Sequence, residues 1–342
     1  MGSLYRNARS GTSNGSRASD TPSRTLVVPP ESGQVLRLSL TERCNFRCRY
    51  CMPRRTGASS AEDGVLSTPE LVDLVRWLSA HTGIRRVKLT GGEPMVRSGL
   101  VGLVASLTGI PGVGEVSLTT NGSLLAAQAE ALRQAGLARV NVSLDSLVAD
   151  RFADLSRGGC LAATLAGIGA AVAVGLRPVK LNTVLLRSTW RDDVPRLLDY
   201  AAQNGLEPRF IELMRMGTER AWCDGEFVSA DDVCRSLGID LSAIPPDPST
   251  PARTALLPWR GQSLKTGWIA PRSHPFCGNC RRLRLDCRGR LRRCLMDPQT
   301  LDLARLWRDM DGATAALDTY LSAKRPPAGG MSGPTAMHRI GG

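Results

Sequence analysis

The sequence is short of histidine, aromatic rings and long apolar runs, and each shortage removes a class of function. Three histidines (His81, His274, His338) in 342 residues leave almost no raw material for a histidine-ligated metal or a histidine-based catalytic triad. Aromatic residues make up 4% of the chain, which argues against the stacking platforms of a single-strand nucleic-acid binder. No apolar run approaches the roughly 20 residues that a bilayer-spanning helix needs, so neither a membrane nor a nucleic acid is an expected partner. Acids are scarce over residues 1–33, where Asp20 and Glu31 face Arg6, Arg9, Arg17 and Arg24. No apolar stretch follows those arginines, which excludes a secretory signal. A disordered extension is the favoured reading because no amphipathic helical pattern appears. The alternative is an organellar transit peptide, so the expected location is the cytoplasm, or an organellar matrix if that alternative holds.

What the chain has in quantity is cysteine and arginine. Ten cysteines without a secretory signal point to a reducing compartment and to metal ligation rather than disulfides. The net charge of +13 is concentrated. Arg272, Arg281, Arg282, Arg284, Arg288, Arg290, Arg292 and Arg293 stand against one acid, Asp286. A compact arginine cluster broken by cysteines suits a small polyanion such as a triphosphate.

From residue 34 short β-branched runs alternate with longer helical patterns. Strands are expected at 34–40, 85–90, 115–119, 139–144, 177–185 and 207–213. Helices are expected at 69–81 (N-cap Thr68, Gly83 past the end), 128–134, 161–174 and 192–203, with a further helical stretch at 300–321. Six βα units imply a parallel sheet with right-handed crossovers, hence a partial (β/α)6 barrel of the α/β class. The passage with Pro245, Pro246, Pro248 and Pro251 reads as a boundary. The domain plan is therefore an extension (1–33), a barrel (34–240) and a smaller C-terminal cluster-binding domain (241–342). Ligands in such folds gather at the carboxyl ends of the strands.

The first chemical constellation lies there. Cys44, Cys48 and Cys51 form C-x3-C-x2-C directly after the first strand. Three thiolates hold three irons of a [4Fe-4S] cluster and leave the fourth open, a catalytic arrangement whose natural ligand is the amino and carboxylate end of S-adenosylmethionine. A zinc site would want a fourth protein ligand, and none follows closely. Gly91-Gly92-Glu93-Pro94 follows the second strand: the glycines give room for close backbone approach, and the acid suits an ammonium group. The second constellation is Cys277, Cys280, Cys287 and Cys294. Either all four hold zinc, or Cys277, Cys280 and Cys294 hold a second open cluster and Cys287 is a spectator. Arg281, Arg282 and Arg284 inside the loop favour the second reading, because they suit an anionic substrate lying on the cluster.

Taken together, RLSLTERCNFRCRYCMP (37–53), KLTGGEPMVR (88–97), LTTNG (118–122), VNVSLD (140–145), VKLN (179–182), RFIELM (209–214), SHPFCGNCRRLRL (273–285), RCLM (293–296) and RIGG (339–342) resemble the GTP 3′,8-cyclases of molybdenum-cofactor biosynthesis, within the radical S-adenosylmethionine (SAM) superfamily. The resemblance implies two [4Fe-4S] clusters, on Cys44, Cys48 and Cys51 and on Cys277, Cys280 and Cys294. It implies SAM contacts from Tyr50, Gly92, Ser143 and Met214. GTP contacts fall on Arg37, Lys88, Thr119, Lys180, Arg282, Leu283 and Arg284, with Arg86 and Arg209 as further triphosphate ligands. The tail glycines Gly341 and Gly342 reach into the active site in this family. Implied partners are GTP, the enzyme that forms cyclic pyranopterin monophosphate from the product, an electron donor of the flavodoxin or ferredoxin type, and a second copy of the chain as a homodimer. The sequence departs from the family pattern at Asp286 and Cys287, over 251–265 and over 325–333. The alternatives are a paralogue acting on another nucleotide or a peptide and, more distantly, a zinc protein that binds nucleic acid.

Overall fold

Strict alternation in the first strand sets up the whole molecule. In β1 (Gln34–Ser39) Leu36 and Leu38 are fully buried in the main core, whereas Val35 and Arg37 line an inner cavity. The same division of faces recurs in β2 (Ile84–Thr90), β3 (Glu115–Thr120), β4 (Arg139–Ser143), β5 (Lys180–Leu185) and β6 (Glu207–Glu212). These six strands pair in chain order, all parallel. Parallel neighbours need crossovers, supplied here by α1 (Thr68–Thr82), α2 (Leu100–Thr108), α3 (Ala129–Gln134), α4 (Ala149–Ser156), α5 (Leu161–Ala173) and α6 (Trp190–Asn204). The computed structural model describes residues 34–53, 64–216, 219–247, 250–277, 280–306 and 309–324. The N-terminal extension and the Gly341–Gly342 tail lie outside them.

After α7 (Arg220–Gly225) and α8 (Ala230–Ser236) come β7 (Arg253–Trp259), β8 (Gln262–Ile269), β9 (Arg282–Leu285), β10 (Arg290–Arg292), β11 (Leu301–Asp302), α9 (Leu303–Leu306) and α10 (Met310–Ser322). All five strands join the same sheet, in the order β11-β10-β9-β1-β2-β3-β4-β5-β6-β8-β7. β9 runs parallel to β1 and β8 parallel to β6, so the C-terminal segment lengthens the partial barrel at both edges. The expected helix over 300–321 is replaced by β11, α9 and α10, the last capped by Asp309.

The start of α1 lies one residue earlier than expected. Ser67 is the N-cap: its hydroxyl accepts from Glu70 N at 3.4 Å, and the Glu70 carboxylate accepts from Ser67 N at 2.9 Å. The reciprocal pair needs serine and glutamate three apart, a spacing that Thr68 does not offer.

Candidate active site

The glycines after β2 make room for the protein's own backbone. Gly91 has φ 154°, Gly92 N donates to Thr41 O at 2.7 Å, and Glu93 N donates to Arg43 O at 2.8 Å. A Cβ on Gly92 would stand 2.2 Å from Arg43 O. This turn is therefore docked backbone to backbone against the strand exit that leads into Cys44. Gly92 also lines the cavity described below. Glu93, 1% exposed, accepts from Thr120 Oγ1 (2.7 Å), Asn121 N (2.8 Å) and Met95 N (3.1 Å). Burial raises its pKa and these bonds oppose the rise. Its carboxylate thus ties the Gly-Gly turn to the loop after β3. From there Asn121 Nδ2 donates to Asn45 Oδ1 (2.8 Å) and Asn45 Nδ2 to Ser123 Oγ (2.9 Å), fixing the cysteine loop from a second side.

Within that loop Cys51 N and Met52 N both bond Cys48 O, closing one helical turn, while Arg47 bonds the carbonyls of Cys44 and Phe46. Cys44, Cys48 and Cys51 all line a cavity of about 340 Å³. Burial pushes the Cys44 thiol up and the Cys48 thiol well up, the latter helped by Asp145 and the two neighbouring thiols. A bound cation would reverse that balance. Tyr50, Gly92, Ser143 and Met214 line the same cavity. Tyr50 Oη donates to Asp145 Oδ2 at 2.6 Å, and Asp145 Oδ1 accepts from Val184 N at 2.9 Å. Burial lifts Asp145 to about 6 against the opposing effect of those bonds.

The inward faces of the strands form a cationic lumen. Arg37, Arg86, Lys88, Arg139, Lys180, Arg209 and Arg282 line a second cavity of about 490 Å³. The two cavities meet at Arg37, Lys88, Arg209, Cys280 and Arg282, which line both. Burial brings Arg37 and Arg209 down to about 10 and Lys180 to about 8, and takes Lys88 and Arg284 well down. The charges that act on Lys88 are all positive: Arg37, Arg139, Arg209 and Lys180. Lys180 pairs with Glu207 at 3.1 Å and Arg139 with Glu115 at 2.6 Å, both at the amino-terminal ends of the strands. Thr119 lines the first cavity and bonds Asn141 Nδ2 at 3.1 Å.

The second cysteine set opens onto the first cavity. Cys277, Cys280 and Cys294 all line it, and Cys277 feels the other two thiols after the larger effect of burial. Burial opposes ionisation of Cys280, but Arg282 and Lys324 outweigh it and bring that thiol to about 7. Cys287 lies elsewhere, fully buried and facing Asp286, Glu42 and Arg288, and burial lifts it to about 11. Asp286 builds the β9–β10 turn by accepting from Arg288 N and Arg290 N, each at 3.0 Å. The departure from the family pattern at Asp286–Cys287 is therefore a hairpin device. Alternation also separates Leu283 from its neighbours: Arg282 and Arg284 face the cavity while the Leu283 side chain is in the core. Among the described residues no three His, Cys, Asp or Glu side chains are arranged to grip a single metal ion. All six thiols of the two sets line the cavity, where each set of three would hold a cluster by one thiolate per iron.

Two residues with structural roles here escape the sequence reading. Glu212, 1% exposed, accepts from Ala230 N (2.9 Å), Arg272 N (2.8 Å), Ser273 N (3.1 Å) and Ser273 Oγ, anchoring the segment that leads to Cys277. An acid set between the apolar Ile211 and Leu213 at the strand's end was the available signal. Lys324 Nζ donates to Cys280 O (2.8 Å) and Arg282 O (3.1 Å), and no local pattern announces it.

Comparison with known proteins agrees with this geometry. Residues 38–201 match the radical SAM superfamily and residues 206–327 match Molybdenum Cofactor Synthesis C. The chain is 41% identical to a GTP 3′,8-cyclase of Pelotomaculum thermopropionicum, covering 85% of this chain and 90% of that one. It is 39% identical to the GTP 3′,8-cyclase of Moorella thermoacetica (90% and 97% covered) and 42% identical to GTP 3′,8-cyclase 1 of Pseudomonas aeruginosa (80% and 83%). The structure of Streptococcus suis SuiB bound to S-adenosylmethionine shares the fold, with a TM-score of 0.60 at 14% identity over 83% of this chain and 67% of that one. With two three-thiol sets at one cavity and a cationic lumen that shares lining residues with it, and with this likeness over most of its length, the chain belongs to the GTP 3′,8-cyclase family of the radical SAM superfamily.

Proposed function

We propose that the chain converts GTP to (8S)-3′,8-cyclo-7,8-dihydroguanosine 5′-triphosphate, the first step of molybdenum-cofactor biosynthesis. The observation that carries this reading is the junction of a thiol-lined cavity with a lumen whose cations repel one another. Cys44, Cys48 and Cys51 would hold one [4Fe-4S] cluster, with Tyr50, Gly92, Ser143 and Met214 around SAM. Cys277, Cys280 and Cys294 would hold the second. When bound, the first cluster and SAM supply one-electron chemistry able to remove a hydrogen atom from an unactivated ribose carbon.

The chain's own residues bind, orient and enclose. Arg37, Lys88, Lys180, Arg282 and Arg284 neutralise the triphosphate, with Thr119, Arg86 and Arg209 as further contacts. A polyanion relieves the repulsion among these cations, so binding energy and lumen design coincide. Leu283 enters only through its backbone. The Tyr50–Asp145 bond steadies the mouth, and pre-organised geometry lets the reacting ribose carbon be presented in one orientation. Gly341 and Gly342, outside the described residues, would complete the site from the C-terminus. The proposed partners are a one-electron donor of the flavodoxin or ferredoxin type and the enzyme that forms cyclic pyranopterin monophosphate. The relatives named above come from bacteria, the proposed compartment is the cytoplasm, and the transit-peptide alternative for residues 1–33 is set aside. Incubating anaerobically reconstituted protein with SAM, reductant and GTP tests the proposal. Mass and NMR analysis should find the cyclised nucleotide, and unchanged GTP alongside SAM cleavage would point to a different substrate.

A further inference from the structure

Among the described residues, two side-chain amide oxygens at the thiol-lined cavity are left without a partner. Asn141 Oδ1 and Asn182 Oδ1 are both buried and make no hydrogen bond among the described residues. They stand on adjoining parallel strands, β4 and β5, with Asn141 beside Lys180 and Asn182 beside Ser143. Both residues line the cavity that carries the two cysteine sets. Asn141 is 1% exposed, and its amide is held at one end by Thr119 (3.1 Å) while the other end is unmet. A buried amide oxygen without a donor costs free energy, so a neighbouring pair in a cavity marks a place for a ligand that brings donors.

Position decides which donors. Along each inward face, Tyr50, Ser143 and the first cysteines lie at the carboxyl ends of the strands, whereas Arg139 and Lys180 lie at the amino ends. Asn141, beside Lys180, and Asn182, beside Ser143, bridge the two zones, and as unmet acceptors they are unsuited to an anion. The part of a nucleoside triphosphate that lies between its phosphates and a reacting end near the cysteines is the sugar.

We propose that Asn141 and Asn182 accept hydrogen bonds from the vicinal hydroxyls of a ribose, and that this ribose is the one carried by the GTP substrate. They are positioning residues that select a ribonucleotide and turn its sugar toward the first cysteine set. The inference rests on the GTP reading above. S-Adenosylmethionine also carries a ribose diol, so the test has to separate the two sources.

The test measures binding, without reductant, on the reconstituted two-cluster protein. Equilibrium dialysis gives the affinities for GTP, 2′-deoxy-GTP, 3′-deoxy-GTP and SAM. The parent should prefer GTP to at least one deoxy analogue by about 2- to 12-fold, the range of a single neutral hydrogen bond. Asn141→Ala and Asn182→Ala should bind GTP weaker by a similar factor, bind that deoxy analogue as the parent does, and leave SAM affinity unchanged. If an alanine variant loses iron or unfolds, Asn141→Ser, which keeps a polar side chain on β4 while withdrawing the amide, carries the same comparison. Variants that discriminate GTP from both deoxy analogues as the parent does overturn the inference, as does a loss confined to SAM. A parent that binds no GTP overturns the functional reading instead, so the two failures are distinct.

Discussion

Lys88 is the residue at which folding and function pull hardest against each other. Its ammonium is held well below the usual lysine range by burial and by four cationic neighbours. A side chain so placed weakens the empty fold and is useful only when an anion arrives. Arg284 and Lys180 are in the same position, the latter with Glu207 as partial compensation. Losing a charge-assisted contact to phosphate costs about 1.5–3 kcal/mol, roughly 10- to 150-fold in affinity. Lys180→Ala and Arg284→Ala should therefore weaken GTP binding by that order while substrate-free SAM cleavage stays near that of the parent. Normal GTP affinity in both variants would place the triphosphate elsewhere. The cysteines give a second residue-scale prediction. Cys287 is fully buried and lines neither cavity, so Cys287→Ser should keep the full iron content of about eight per chain, whereas Cys294→Ser should lose iron from the second site. The opposite pattern would mean that the inner thiol is the ligand.

Among the elements, the Gly91–Gly92 turn carries the first cysteine loop. A methyl group at Gly92 collides with Arg43 O, so Gly92→Ala has to displace either the turn or the loop. The expected result is loss of the first site's irons, leaving about four per chain on the second, with SAM cleavage abolished. Full iron content and cleavage would show that the loop docks without that contact. The same turn shows what could be read in the sequence and what could not. Its glycines announced a close approach, but the identity of the approaching chain, Thr41–Arg43, depends on tertiary register. The six strands and the helices α1, α3, α5 and α6 were legible because alternation and amphipathic spacing are local signals, whereas α2 and α4 were not expected. β7 to β11 were not legible: Pro258, the prolines before β7 and the arginine-dense segment around β9 obscure alternation, and the pairing of β9 to β1 spans most of the chain. The cysteine sets were legible as spacing. Leu283 was misleading because a motif treats neighbours alike while a strand sends them to opposite faces. Lys324 and the orphaned amides have no local signature.

At the scale of the molecule, the lumen makes GTP binding pH-dependent. In the GTP-free fold burial, with help from Arg209, brings Lys180 down to about 8 from an ordinary 10.5. Between those values the unfolded chain binds more protons than the folded one, so Lys180 favours folding increasingly as pH rises through that window. A bound triphosphate favours the charged form, so GTP uptake draws a proton there. Affinity should be flat below about pH 8 and fall above it, and Lys180→Arg should flatten the decline. Dialysis from pH 7 to pH 10 measures this. A decline that Lys180→Arg leaves unchanged would assign the effect to another group.

The central claim is that one cavity brings the ribose of GTP to the first cysteine set. GTP carrying deuterium at C3′ reports this directly. Incubated with the reconstituted protein, SAM and reductant, it should pass its deuterium into 5′-deoxyadenosine, measured by mass, with cyclised nucleotide formed alongside. Deuterium retained in GTP while undeuterated 5′-deoxyadenosine accumulates would contradict the account.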